Sequence, residues 1–314
     1  MAGGVKGRDV PSIVSDLGTT GGPISVQALA LALAASAAWG IGMTAAVPAI
    51  RYVDRLTYLV VRWGLVALFA LAYAVATRAL AIPSLQAAGY AVLAGFIDAT
   101  LGGLLYLMAL ERTSAYRATT LSNTAPLWGV FAAILFLGEA MRWQAVVAAI
   151  LAVAGAAFLV ERRDAQRGRG KGLAGTLYAL ATGVLWGVAE TVPAKLALDR
   201  GLSSETLLLL FAASGALGAA LLLPFLRRRV PARFAPRGLG YIVLSGIVGA
   251  GVGWLLWLES LRRAAASSVA PVRGATLLFC LLFSVLFLRE RPTPRALWGV
   301  LLAGASVALI SLGV

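Results

Sequence analysis

The sequence predicts an all-α membrane protein with ten transmembrane helices, built as two inverted five-helix repeats. Three observations predict it. Of 314 residues, 60% are hydrophobic and 13% charged, with mean hydropathy +0.88; a soluble domain carries about 25% charged residues, too many for this chain to supply. The apolar residues fall into runs of about 20, long enough for helices rising 1.5 Å per residue to cross a ~30 Å hydrocarbon core. The two halves of the chain also repeat one another. A soluble enzyme, a disulfide scaffold and a disordered chain are excluded.

Residues 1–25 are Gly-rich and polar, without the apolar segment and small-residue cleavage site of a signal peptide, and read as a mobile tail. Ten apolar spans follow, at 26–48, 57–77, 86–109, 113–137, 143–160, 172–192, 205–226, 238–258, 265–288 and 296–313. Their connections are short, so consecutive helices are expected to be antiparallel neighbours. The longest charged connection, the basic linker 161–171 (ERRDAQRGRGK), separates a first repeat (26–160) from a second (172–314).

Sliding residues 95–139 onto 246–290 gives 14 identities in 45 without a gap, among them Gly95/Gly246, Ala99/Ala250, Gly102/Gly253, Arg112/Arg263 and Glu139/Glu290. Trp39-Gly40 and Val47-Pro48-Ala49 are echoed by Trp186-Gly187 and Val192-Pro193-Ala194. Five spans per half turn the second half upside down, a recurring plan of secondary transporters, whose substrate sites lie at the repeat interface near mid-membrane.

The residue inventory narrows the chemistry. Histidine is absent and Cys280 is the single cysteine, so neither a His-based metal site nor an internal disulfide can form. No phosphate-binding Gly-rich loop is present, so no cofactor and no nucleotide hydrolysis are expected. The net charge of +14 sits in loops between apolar runs, the pattern of membrane orientation rather than of nucleic-acid binding. Arg and Lys number sixteen in the connections after the odd spans and eight in the tails and other connections, which places both termini outside.

The stretch ALERTSAYRATTLSNTAPLWGVFAAILFLGE (109–139), the Trp39-Gly40 pair and Arg62 resemble the EamA-type family of the drug/metabolite transporter superfamily. The resemblance covers roughly residues 27–313, although Leu277 stands where the first half has Pro126. It implies a plasma-membrane exporter of small metabolites, often amino acids. Related branches move nucleotide sugars or sugar phosphates. It also implies that both termini lie inside, against the local charge bias, and that spans 3 and 9 line a central cavity.

Five charged residues lie within spans: Arg62, Asp98, Arg117, Glu190 and Arg273. A charge at the bilayer centre costs about 2.5–3.5 kcal/mol on insertion scales, so depth separates them. Arg62, Arg117 and Glu190 fall about one turn from a span end and read as interfacial, with Glu190 kept as a substrate-binding candidate. By helical rise Asp98 is about 19 Å deep, and Arg273 about 14 Å from the opposite side, so both lie near mid-membrane. They are expected to face each other across the cavity. Arg273 would take a substrate carboxylate and Asp98 an ammonium group or a coupling proton; the alternative is a structural ion pair.

Asn123, about 15 Å deep, could bond a substrate or a neighbouring helix. Trp39 and Trp186 are cavity walls or large core side chains. Tyr106 and Trp257 align near opposite membrane faces, as belt anchors or as gates. Pro48 and Pro193 end the first helix of each repeat or act as hinges. Gly95, Ala99 and Gly102, like Gly246, Ala250 and Gly253, form a stripe for close helix packing. The expected function is therefore a secondary active exporter of small polar or zwitterionic metabolites, working by alternating access, with the lipid bilayer as the other partner. Sugar-phosphate or nucleotide-sugar exchange is the alternative within the class. A membrane-embedded enzyme or scramblase-like protein is the alternative outside it.

Overall fold

A computed structural model describes residues 24–112, 121–159, 172–226, 232–288 and 294–311. Residues 1–23 of the tail, the basic linker and Arg117 lie outside these. Among the described residues the backbone is helical, with one isolated β-bridge, Val53 to Phe234, and no strands.

The first half begins with α1 (Val26–Tyr52) and α2 (Arg55–Ala76). Next, α3 is assembled end to end from Leu85–Gly95, a π-helical turn Phe96–Gly102, and Gly103–Arg112. Then come α4 (Ala125–Leu137) and α5 (Trp143–Leu159). The second half follows the same order. It has α6 (Gly172–Asp199), α7 (Ser204–Leu226) and α8 (Pro236–Arg263), which holds the π-helical turn Leu244–Val252. Then α9 runs as Ala266–Val269, a 3-10 turn Ala270–Gly274, and Ala275–Leu288, and α10 is Pro294–Ser311. Seven of these helices are long and apolar enough to cross a membrane; α4, α5 and α10 are shorter and apolar.

The starts are written in local chemistry. The side chains of Ser25, Asp54 and Ser84 accept from Ala28, Thr57 and Ala87 backbone N–H groups at 3.0–3.1 Å, closing the first turns of α1, α2 and α3. Gly138 ends α4 with φ 68°, a left-handed conformation that suits glycine.

The halves pack by exchange of partners. Helix α1 lies against α8 and α9, and α6 lies correspondingly against α3 and α4. Helices α2 and α7 face each other, as do α5 and α10. These two central pairs are antiparallel. Asp54 at the start of α2 exchanges hydrogen bonds of 2.8 Å with the Arg233 backbone beyond the end of α7. Ser203 and Thr206 at the start of α7 donate to Ala79 O beyond the end of α2, at 2.9 and 2.7 Å. Likewise Arg295 early in α10 donates to Ala157 O late in α5, while Ser306 donates to Ala148 O. The second half is thus the first turned over.

Small residues and buried hydroxyls hold the helices together, as expected where lipid supplies no hydrophobic drive between helices. Ser36 donates to Val272 O at 3.1 Å and Ser260 to Ala28 O at 2.8 Å, each joining the halves. The Trp-Gly motif has a symmetric packing reason. A Cβ on Gly40 would lie 2.7 Å from Phe279 Cβ in α9, and one on Gly187 would lie 2.5 Å from Ala125 O in α4. The preceding tryptophans close on the π-helical turns. A Cβ on Gly253 would lie 2.7 Å from the Trp39 ring, and one on Gly102 would lie 2.7 Å from the Trp186 ring.

Glu139 holds the start of α9, its two carboxylate oxygens accepting from the backbone N–H groups of Ala266 and Ser267, both at 2.8 Å. Glu139→Ala is expected to destabilise the protein by about 0.5–2 kcal/mol, the usual cost of losing a cap. Denaturation of the purified variant in detergent checks this.

Two readings of helix ends are corrected. Pro48 and Pro193 do not terminate helices; α1 continues to Tyr52 and α6 to Asp199. A proline in a membrane helix is tolerated when neighbours satisfy the carbonyls it frees. Here the Trp257 indole donates to Glu190 O, one turn before Pro193, at 3.0 Å.

Candidate functional site

Helices α3, α6 and α9, drawn from both halves, meet at a buried cluster of charge. Glu190 is 4% exposed and Asp98 6%. Arg273 stands near the end of the 3-10 turn that interrupts α9, its side chain only 13% exposed. Its Nε pairs with Glu190 Oε2. Its guanidinium also lies against two symmetry-related indoles, 5.8 Å from the Trp39 ring centroid and 5.6 Å from that of Trp186. Both distances suit cation–π attraction, strengthened where water is excluded.

Asp98 sits in the π-helical turn of α3, a wide turn found frequently at functional sites. Its backbone carbonyl accepts from the Trp186 indole at 3.2 Å, one helical turn from Glu190 along α6. The positive charges of Arg273 and Arg62 act on Asp98. Arg62 lies 5.0 Å from the Trp63 ring centroid, with its Nε 3.5 Å from Ser245 O.

An aromatic shell surrounds these charges. Trp39 packs on Trp257 at 5.3 Å and on Trp254 at 5.9 Å; Tyr106 packs on Trp186 at 5.4 Å. Phe211 sits between Trp254 at 4.2 Å and Trp63 at 5.4 Å. The pairs Tyr106–Trp186 and Trp257–Trp39 are repeat mates of each other.

The site thus brings together Asp98, Glu190, Arg273, Trp39, Trp186, Tyr106 and Trp257. Asn123 is buried in the turn before α4, a turn that packs on Gly183 of α6. Four expectations are corrected. Arg273 pairs with Glu190 rather than reaching Asp98 alone. Glu190 is not interfacial, because α6 runs nine residues, about 14 Å, beyond it. Arg62 is not at a helix end; with Asp54 capping α2, it lies seven residues, about 10 Å, inside. Trp257 is fully buried and is no belt anchor, and Tyr106 is engaged on Trp186. The tryptophans exposed near helix starts are Trp143 of α5 and Trp298 of α10, each 62% exposed.

A buried charge cluster at the junction of two inverted helical halves is the architecture of a membrane carrier. The chain belongs to the EamA-like transporter family, whose pattern matches residues 26–161 and again 173–312. A relative in Archaeoglobus fulgidus, described as an uncharacterized transporter, is 28% identical over 199 residues. That match takes in 60% of this chain and 65% of the relative, just under two thirds of its length. The fold is also that of a solved crystal structure, with TM-score 0.77 at 19% identity, covering 91% of this chain and 96% of the other. The chain is accordingly a multi-pass membrane protein of that family.

Proposed function

We propose that this transporter is a secondary carrier that exports small zwitterionic metabolites such as amino acids across the plasma membrane. The observation carrying the reading is the meeting of opposite charges at the junction of the repeats, the Glu190–Arg273 pair of the second half with Asp98 of the first beside it. A zwitterion offers the same two groups: a carboxylate for the guanidinium fork of Arg273 and an ammonium for Asp98 and Glu190. Substrate would replace a contact within the second repeat by contacts that also reach Asp98 of the first, so that its binding ties the two repeats together, as an alternating-access cycle requires.

In this reading the chain crosses the membrane ten times, with repeats 26–160 and 172–314 joined by the linker 161–171 and both termini outside. Trp39 and Trp186 wall the site, Tyr106 and Trp257 gate it, Asn123 contributes a polar contact, and Pro48 and Pro193 are the hinges of α1 and α6. Arg62 brings a second cation near Asp98, the one feature that favours a phosphorylated sugar or nucleotide sugar as the alternative cargo.

Thermal unfolding of the purified protein against amino acids, sugar phosphates, nucleotide sugars and lipophilic cations tests the class. A ligand at about 100 times its dissociation constant adds about 2.7 kcal/mol to the folded state. Stabilisation by amino acids, absent in Arg273→Gln, is the expected result. Stabilisation by phosphates alone would move the assignment to the alternative.

A further inference from the structure

We propose that the molecule binds an acidic phospholipid in a groove between α2, α3 and α7. Its phosphate is held by Arg51, Arg55, Arg233 and Arg237, and an acyl chain is seated in the apolar cleft beneath them. The lipid is a partner of the fold rather than the cargo. The basic edge forms where the two halves join. The Val53–Phe234 bridge ties the turn between α1 and α2 to the segment preceding α8. Ala235 N–H donates to Tyr52 O at 3.0 Å, and Arg233 N–H to Asp54 Oδ2 at 2.8 Å. Arg51 ends α1, Arg55 opens α2, and Arg233 and Arg237 lie on the bridged segment, all four exposed. Asp54 among them is 7% exposed and turned onto the start of α2, accepting from the Thr57 N–H at 3.0 Å and the Thr57 hydroxyl at 2.8 Å. Four guanidiniums against one inward carboxylate leave this edge positive.

The opposite face of the molecule neutralises its cations. Lys195 pairs with Asp199 at 3.2 Å, Arg262 with Glu259 at 3.4 Å, and Arg263 with the same Glu259. With the caps Asp54 and Ser203 aligned, Arg55 corresponds to Ser204, whose hydroxyl donates to Glu259 at 2.5 Å. Where the second half closes a serine onto an acid, the first half displays an arginine.

A cleft of about 240 Å³, lined by Leu56, Leu59, Thr100, Leu104, Ala219 and Leu222, lies next to the basic edge. Leu59 is one turn along α2 from Arg55, on the same side of the helix. The Thr100 hydroxyl is engaged on Gly215 O at 3.4 Å, so the lining offers an apolar surface. The repeat fills the matching place on the other face. There Phe69 corresponds to Gly218, and Gly251 to Thr100; a Cβ on Gly251 would lie 2.7 Å from the Phe69 ring. Leu208, the mate of Leu59, is fully buried, whereas Leu59 is partly exposed. The basic edge and the open cleft are therefore departures from the repeat that occur side by side. An acidic phospholipid meets both. Guanidinium forks take phosphate oxygens in pairs, and an acyl chain gives the cleft's lining the contacts it lacks. Free phosphate would use the edge alone, and a lipid without net charge would gain little from it.

The test uses the purified full-length protein in an uncharged detergent, with bound lipid counted by native mass spectrometry. The probes are dioleoylphosphatidylglycerol, dioleoylphosphatidylcholine and glycerol phosphate. Each arginine beside an acidic lipid is worth about fivefold in affinity, so Arg51→Gln with Arg55→Gln should weaken phosphatidylglycerol binding about 25-fold and leave phosphatidylcholine unchanged. In the wild type phosphatidylglycerol should bind at least about tenfold more tightly than phosphatidylcholine, and glycerol phosphate should not displace it. Phosphatidylglycerol carrying a diazirine in its acyl chain should label α2, α3 and α7. That labelling uses the unaltered chain, so it decides the matter should the double variant fail to fold. Equal binding of the two lipids, displacement by glycerol phosphate, or labelling confined to other helices would each overturn the proposal.

Discussion

Arg273→Leu is expected to destabilise the protein by about 3–5 kcal/mol, the usual cost of removing one partner of a buried ion pair. Arg273 and Glu190 have side chains 13% and 5% exposed, so water cannot take the place of the lost guanidinium. The cost arises from Glu190, left as a carboxylate with its main counter-charge gone. It follows that Glu190→Leu introduced with Arg273→Leu should recover most of the loss, since a well-packed apolar pair often replaces a buried ion pair without penalty. Chemical denaturation of the single and double variants in the same detergent gives both numbers. A double variant that is stable yet blind to zwitterions would separate the pair's contribution to folding from its role in binding. A single variant as stable as the wild type would show that the pair carries no charge in the folded state.

The second large effect is expected at Gly187. An added Cβ there would meet backbone on two sides, Ala125 O at 2.5 Å and Gly129 N at 2.8 Å, and Trp128 Cβ at 2.8 Å. Neither backbone can swing aside as a flexible side chain would, so Gly187→Ala must push α4 from α6, at about 1–3 kcal/mol for an overpacked contact. Because Trp186 precedes it, the same shift displaces the indole from Asp98 O and from the Arg273 guanidinium, and ligand stabilisation should fall with it. Gly64→Ala is the matching control. No atom lies within 4 Å of a Cβ at Gly64, so this change should be neutral or stabilising by about 0.5–1 kcal/mol. Thermal unfolding of both variants, with and without ligand, tests the contrast.

Much of the architecture is written locally. Asp54, Ser84 and Gly138 mark helix ends by their own chemistry, and the Trp-Gly echo marks the repeat. The burial of Asp98 and Arg273 was legible where depth alone decides, because charges about thirteen and nine residues inside a span are too deep to snorkel. The site was misread where a local rule met a tertiary override. Taking Pro193 as a helix end put Glu190 at the membrane surface, but the Trp257 indole satisfies a carbonyl beside the proline and α6 runs on. Starting the second span at residue 57 put Arg62 near the surface, although Asp54 already marked the true start. Aromatic residues at span ends read as interfacial anchors, and only packing distinguishes fully buried Trp257 from exposed Trp143. The π-helical turns around Asp98 and in α8 left a trace only in paired glycines, Gly102 and Gly253, which make room for the tryptophans.

The central claim, that the Asp98–Glu190–Arg273 cluster is where substrate binds between the repeats, is tested most directly by transport. Proteoliposomes containing the wild type and the Glu190→Gln plus Arg273→Gln double variant would be loaded with unlabelled amino acids, and entry of labelled amino acid by exchange followed. The wild type is expected to exchange label, and the double variant, folded by the same thermal criterion, to exchange none. A folded double variant that exchanges amino acids at the wild-type rate would contradict the account and place the substrate elsewhere in the molecule.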